Sequence, residues 1–261
     1  MPEQQVTQPE VPQQQFPSEI IDLPSGGKVY GKDSPLYNGK IEIKYMTAKE
    51  EDILTSTNLI QKGAVLEKLM DSLILTKGIS VNDLILGDKN AIMVAIRVLA
   101  YGPRYETEVT NPNNTNEKIK HAFNLTDCPF KKIPEGINYS KNEFDFQLPV
   151  SKTSIKWKLL TGKEEELIDA ELEAKKKLGS LVTTTITTRL KYLITDFNGT
   201  TDKLEIGQSV ENMLSKDSLA LRNEIQRISP DIDMKQEVNF PGGDAVEVNI
   251  PMTVGFFWPD S

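Results

Sequence analysis

Two acidic triplets, Glu50-Glu51-Asp52 and Glu164-Glu165-Glu166, are the side chains whose types best suit chemistry. Neighbouring carboxylates held in different environments can divide general-acid and general-base work between them. Each triplet, however, opens three residues after a threonine, in Thr47-Ala48-Lys49-Glu50 and Thr161-Gly162-Lys163-Glu164. That is capping-box spacing, in which the threonine closes a first helical turn and the glutamate bonds back to it. Acids also belong in a first turn because they complement the helix dipole, so capping outweighs catalysis. His121 and Cys128 are the only histidine and the only cysteine. Two such ligands do not close a tetrahedral zinc site, and one cysteine forms no intrachain disulfide. Gly27-Lys28 is no phosphate loop, since Val29 stands where a Walker motif needs Ser or Thr. A Gly-x-Ser-x-Gly nucleophile motif is missing as well. The residues therefore predict no catalytic, cofactor-binding or metal site, and no cofactor.

The elements around those boxes recur. Lys44 to Ile53 matches Lys158 to Leu167 with five identities in ten. Ser80-Val81-Asn82-Asp83-Leu84-Ile85-Leu86-Gly87-Asp88 is echoed by Ser209-Val210-Glu211-Asn212-Met213-Leu214-Ser215-Lys216-Asp217, and Phe123-Asn124-Leu125 by Val248-Asn249-Ile250. An order of strand, capped helix, longer helix and hairpin thus occurs twice. This predicts an α+β fold of two pseudo-repeated units, each a small antiparallel sheet or hairpin with packed helices. The units span 20–135 and 136–261, after a disordered Gln/Pro-rich tail at 1–19 whose apolar content is too low to offset ordering entropy.

Within the units, Ile41 to Tyr45 alternates like a half-buried strand. Residues 62–76 carry Val65, Leu66, Leu69, Met70, Leu73 and Ile74 at helical spacing, and 81–101 reads as one long helix stopped by Gly102-Pro103. A hairpin with a long polar tip, 111–118, follows. Phe144 to Leu160 reads as two strands broken by Pro149, 164–178 as a charged helix, and 208–228 as the counterpart of the long first helix. The segment 182–193 is rich in Thr yet has leucines at helical spacing, and both readings stay open. The chain closes with a strand at 246–250 and with Phe256-Phe257-Trp258. Three consecutive large side chains cannot share one face of a strand, so at least one should point outward. Phe256, Phe257 and Trp258 are the expected partner-binding residues, with a plug in the second unit's core as the open alternative.

Composition narrows the class. A net charge of −8 and only two basic clusters, Lys131-Lys132 and Lys175-Lys176-Lys177, argue against a nucleic-acid partner, because phosphate neutralisation needs a basic surface. The second cluster ends a helix opened by acids, where it complements the dipole. No apolar run approaches the roughly 18 residues of a membrane span, so no membrane partner is expected. One cysteine and no basic-then-apolar start fit a reducing cytoplasm. The four Asn-x-Ser/Thr sequons, at Asn113, Asn124, Asn138 and Asn198, then read as turn residues.

With these residues in place, the chain resembles the baseplate hub assembly family of T-even-type contractile-tailed bacteriophages. The resemblance is carried by Leu-Pro-Ser-Gly-Gly at Leu23 to Gly27, Met-Thr-Ala-Lys-Glu-Glu at Met46 to Glu51, Asp-Leu-Ile-Leu-Gly-Asp-Lys at Asp83 to Lys89, Arg-Val-Leu-Ala-Tyr-Gly at Arg97 to Gly102, and the closing Phe-Phe-Trp-Pro. It covers most of 20–130 and, more loosely, the rest. It implies a non-enzymatic protein that assists assembly of the central hub in the host cytoplasm, with phage baseplate hub or tail proteins as partners, self-association as a further contact, and a place in the virion left open. Members often carry a Cys-Pro-x-Cys knuckle after the Tyr-Gly turn. Here Asn111-Pro112 and Phe240-Pro241 keep the proline and lack the cysteines, so the resemblance implies a metal-free hairpin. Two other classes stay open: a small enzyme with an unrecognised carboxylate or Ser/Thr site, for which a second catalytic partner is missing, and a nucleic-acid adaptor on ribbon-like hairpins, which the charge disfavours.

Overall fold

The computed structural model describes residues 16–243, 245–252 and 254–257. Among the described residues every sheet is small and antiparallel, and eight α-helices pack among the sheets, an α+β architecture. β1 (Ser18–Asp22) pairs with β2 (Lys40–Lys44), with Ile21 opposite Ile41. Ser18 and Glu19, placed by sequence in the tail, are thus strand residues, because their backbone groups find partners in β2. Helices α1 (Ala48–Thr55), α2 (Thr57–Gln61), α3 (Val65–Leu73) and α4 (Leu86–Tyr101) follow. The last feeds the hairpin of β3 (Arg104–Asn111) and β4 (Asn114–Asn124). Its tip is shorter than the polar composition suggested, since β4 already begins at Asn114.

β5 (Phe144–Gln147) and β6 (Ser154–Trp157) flank the Pro149 turn, as the break in the pattern predicts. They lead through α5 (Gly162–Lys177) and α6 (Thr185–Leu193) to β7 (Ile194–Phe197), which completes a three-stranded sheet in the order β5-β6-β7. The segment left open by the sequence is a helix from Thr185 onward: burial of Leu190 and Leu193 against β6 and β7 overrides the strand propensity of its threonines. α7 (Lys203–Glu211), α8 (Ser215–Ile228) and the hairpin of β8 (Lys235–Asn239) and β9 (Ala245–Asn249) complete the chain, before a short 3-10 turn at Val254–Phe257.

The long helices are interrupted where single helices were expected. Ser80 and Asp83 form a capping box around the short 3-10 turn Val81–Asp83, after which Leu84 and Ile85 are extended. Ile85 is held in that state by a bridge to Thr161, and the Leu84 carbonyl accepts from the Gly162 amide at 3.1 Å. In the second half Asn212 to Leu214 separates α7 from α8.

Two apolar cores form, and they divide the chain unevenly. One gathers Leu23 to Cys128 together with Ile232, Met234, Val238, Phe240, Val248, Ile250, Phe256 and Phe257. The other is built from 139–228, with Trp157 at its centre, and takes Val29 and Ile85 from the first half. The closing hairpin therefore crosses over to the core begun by the first half. Its return path is tied down by Asp233, whose amide donates to the Pro129 carbonyl at 2.7 Å, and by Lys131, whose amide donates to the Asp231 carbonyl at 2.8 Å.

The seam between the cores depends on two glycines. A Cβ on Gly87, in the first turn of α4, would lie 1.9 Å from the Pro230 carbonyl oxygen, and one on Gly162 would lie 2.8 Å from Asn82 Cα. In a helix alanine is otherwise favoured over glycine by about 1 kcal/mol. Gly87→Ala should reverse that sign and destabilise by about 2 kcal/mol or more, because backbone must move. Gly207→Ala, in α7 and facing only the flexible end of Lys191, should be neutral or stabilising. Denaturant midpoints of the two variants check the contrast.

Candidate protein-docking site

The acidic triplets occupy the first turns of α1 and α5, and their leading glutamates are locked. Glu50 is fully buried; its carboxylate accepts from the Thr47 amide at 3.0 Å, the Thr47 hydroxyl at 2.6 Å, the Ser72 hydroxyl at 2.7 Å and Lys44 Nζ at 2.8 Å. Glu164 repeats the arrangement with the Thr161 amide at 2.9 Å, the Thr161 hydroxyl at 2.6 Å and the Lys158 ammonium. Burial alone would raise both carboxyls, but the lysine and the threonine donors outweigh it and hold each down to about 2. Both carboxylates are engaged by donors of their own chain, which makes these residues structural clamps.

Two further carboxylates, not singled out by type in the sequence, do similar work. Asp88 and Asp217 each stand third in a long helix and are wholly buried. Asp88 accepts from the Ser25 amide at 3.0 Å, the Ser25 hydroxyl at 2.7 Å and the Tyr30 hydroxyl at 2.6 Å. Asp217 accepts from the Val150 amide at 2.7 Å and the Ser151 amide at 3.0 Å. Each ties the turn after a Leu-Pro pair, Leu23-Pro24 or Leu148-Pro149, to a helix start. Burial raises the Asp88 carboxyl above its ordinary value, beyond what its hydrogen bonds return, and pushes the Tyr30 phenol far up. For Asp217 the two backbone donors prevail over burial and the shift is downward.

His121 lies on β4, edge-on to Phe123, while buried Cys128 receives a long contact from Gln236 Nε2 at 3.5 Å. The structure does not bring them into one cluster with carboxylates. Among the described residues no three His, Cys, Asp or Glu side chains are grouped as a metal site would need.

The C-terminal aromatics are split. Phe256 and Phe257 are buried in the core begun by the first half, with Phe256 edge-on to Tyr105 at 4.9 Å and to Phe257 at 5.4 Å. The plug expected as an alternative in the second unit's core is therefore found in the other one. Trp258 lies outside the described residues.

Exposed apolar surface concentrates elsewhere, in the second half. The connection from α5 to α6 carries Leu178, Leu181 and Val182 at 88%, 101% and 71% exposure. Beside it opens a groove of about 270 Å³ between α6 and α8, lined by Leu86, Leu160, Ile186, Leu190, Leu193 and Ile225. Arg189 at its edge is held by a bidentate pair with Glu165, at 2.6 and 2.7 Å. A hollow of mainly apolar walls with few polar groups suits protein side chains rather than a charged metabolite. Sequence reasoning missed it because its walls come from four separate segments. The three exposed apolar residues of the loop were the only local signal.

A family model described as T4 bacteriophage base plate protein matches residues 17–258. No curated protein and no solved structure matches the chain.

The clamps predict an acid transition. Glu50 and Glu164 have folded values below the ordinary carboxylate range, so the stability they contribute is complete above about pH 4.5 and is lost as pH falls toward 2. For enclosed Glu50 the contribution is on the order of 2–3 kcal/mol. Urea midpoints measured from pH 6 to pH 2.5 should fall steeply, and Glu50→Gln should flatten the profile while lowering its plateau.

Proposed function

We propose, from the premise that this chain belongs to the T4 bacteriophage base plate protein family, that it is a baseplate hub protein or hub-assembly chaperone acting through protein contacts. The single observation that carries a docking role, rather than catalysis, is the exposed apolar run Leu178, Leu181 and Val182 ahead of an apolar-walled groove whose lining includes exposed Leu86 and Ile186. Soluble proteins rarely leave such surface uncovered unless a partner takes it. The engagement of Glu50, Glu164 and Asp217 supports the same reading, since each is held by donors of its own chain. Its partners on this reading are other baseplate and tail proteins, met in the host cytoplasm during tail assembly. No described helix is long and apolar enough to cross a membrane.

Internal duplication is part of the proposal. Matching bonds support it. Ile43 bridges Ile74 as Trp157 pairs with Ile194, each strand residue lying four before the capping threonine and each partner directly following a helix, α3 in the first half and α6 in the second. Leu23 donates its amide to Gly39 and Leu148 donates to Thr153. Leu125 donates to Pro103 and Ile250 to Met234, both at 2.8 Å, closing the two hairpins in one register. The second of the two units so defined gives its last hairpin to the first, so that β8–β9 lies on the first unit's core beside β3–β4.

Within that reading Phe256 and Phe257 anchor the C-terminal segment, and Trp258 carries a partner contact. Trp258→Ala should reduce co-purification with hub proteins at least about tenfold while leaving the melting temperature within about 2 °C. Unchanged co-purification with a sharply lowered melting temperature would remove Trp258 from the docking role. Electron microscopy of tails made without this chain tests the wider reading: baseplates should fail to complete, and normal tails would refute it.

A further inference from the structure

We propose that the apolar loop of one copy fills the groove of a second copy, giving a twofold-symmetric pair; this rests on the docking reading above and names its partner. The loop supplies what the groove lacks. Leu178, Leu181 and Val182 project with almost nothing of their own chain against them, and the groove presents leucine and isoleucine walls with no described side chain filling it. The loop runs directly into Thr185, the first residue of α6 and part of the groove wall, so the protrusion and the recess are neighbours along the chain. A protrusion and a recess of the same chemistry on one chain suit an isologous contact, in which each copy gives its loop and receives the other's.

Area and charge favour this occupant. A stable interface buries about 800 Å² on each partner, more than one loop inserted in one direction provides. Reciprocal insertion doubles the contact and adds Leu86 and Ile186, which are 44% and 50% exposed at the groove. At the groove end, Asp231 accepts from Asn90 and from the Ile232 amide but has no cation within ion-pair distance among the described residues. Lys177, at the base of the loop, is likewise without a carboxylate there, so the second copy brings the charge that Asp231 lacks.

Sedimentation velocity across a concentration series tests the pair. The full-length chain should sediment as a dimer at micromolar concentration, and Leu181→Asp should raise its dissociation constant at least about thirtyfold, the loss expected at an interface hot spot. Ile186→Asp, on the groove wall, should do the same. Both sites are exposed, so circular-dichroism melting should stay unchanged and separate interface loss from misfolding. Mixing Leu181→Cys with Arg222→Cys should give a disulfide-linked pair that neither variant forms alone.

A wild-type monomer throughout the series, or a dimer indifferent to Leu181→Asp, overturns the proposal. A monomer that captures tail proteins through Leu181 also overturns it and assigns the loop to another baseplate protein, leaving the family-level reading intact. A dimer sensitive to Leu181→Asp that captures no tail protein supports the pair and counts against the docking role.

Discussion

A carboxylate removed from water must find donors for its lone pairs, and the fold is organised around four that do. Glu50 and Glu164 close the first turns of α1 and α5, and Asp88 and Asp217 hold the Leu-Pro turns against α4 and α8. Removing one partner from such a site leaves an uncompensated buried group, at a cost of about 3–5 kcal/mol where the site is ionic and enclosed. Each of the four accepts from at least one backbone amide of a turn or cap, so these acids fix chain direction as well as stability. Once the turns and helix starts are fixed, the remaining apolar stripes have few faces on which to pack, and the two cores follow.

The cores are not equally closed. The first receives both hairpins and the C-terminal phenylalanines, with Tyr105 stacked between Arg97 and Phe256. The second has the three-stranded sheet and its helices but gives its last hairpin away, and α6 and α8 keep an open groove between them. That imbalance is the physical reason a groove stays open beside the second core. The glycine seam holds the halves in one arrangement: Lys216 stands third-from-cap minus one in α8, where α4 has Gly87, and its side chain would not permit the approach that Pro230 makes.

Much of the local architecture was legible in the residues. Thr47-Ala48-Lys49-Glu50 and Thr161-Gly162-Lys163-Glu164 state their caps outright, because a capping box is complete within four residues. The break at Pro149 and the stop at Gly102-Pro103 were equally local. What periodicity could not reveal was tertiary in origin. Leu84 and Ile85 continue a helical pattern, yet Thr161 and Gly162 pull them into an extended bridge. Val238 and Phe240 sit beside the second half in sequence and pack with the first. The roles of Asp88 and Asp217 were half visible, since both end the echoed segments, but their partners lie 63 and 67 residues away. The groove, assembled from residues near 86, 160, 190 and 225, leaves no contiguous trace.

Membership of the T4 baseplate protein family places the chain among phage baseplate proteins. The central claim is that Asp88 and Asp217 each clamp one Leu-Pro turn to one helix start. Amide hydrogen exchange of Asp88→Asn and Asp217→Asn compared with the unmodified chain tests it most directly. The account predicts that Asp88→Asn exposes the Ser25 amide and the start of α4 while Val150 and Ser151 stay protected, and that Asp217→Asn does the converse. Unchanged protection at Ser25, Val150 and Ser151 in their respective variants would contradict it.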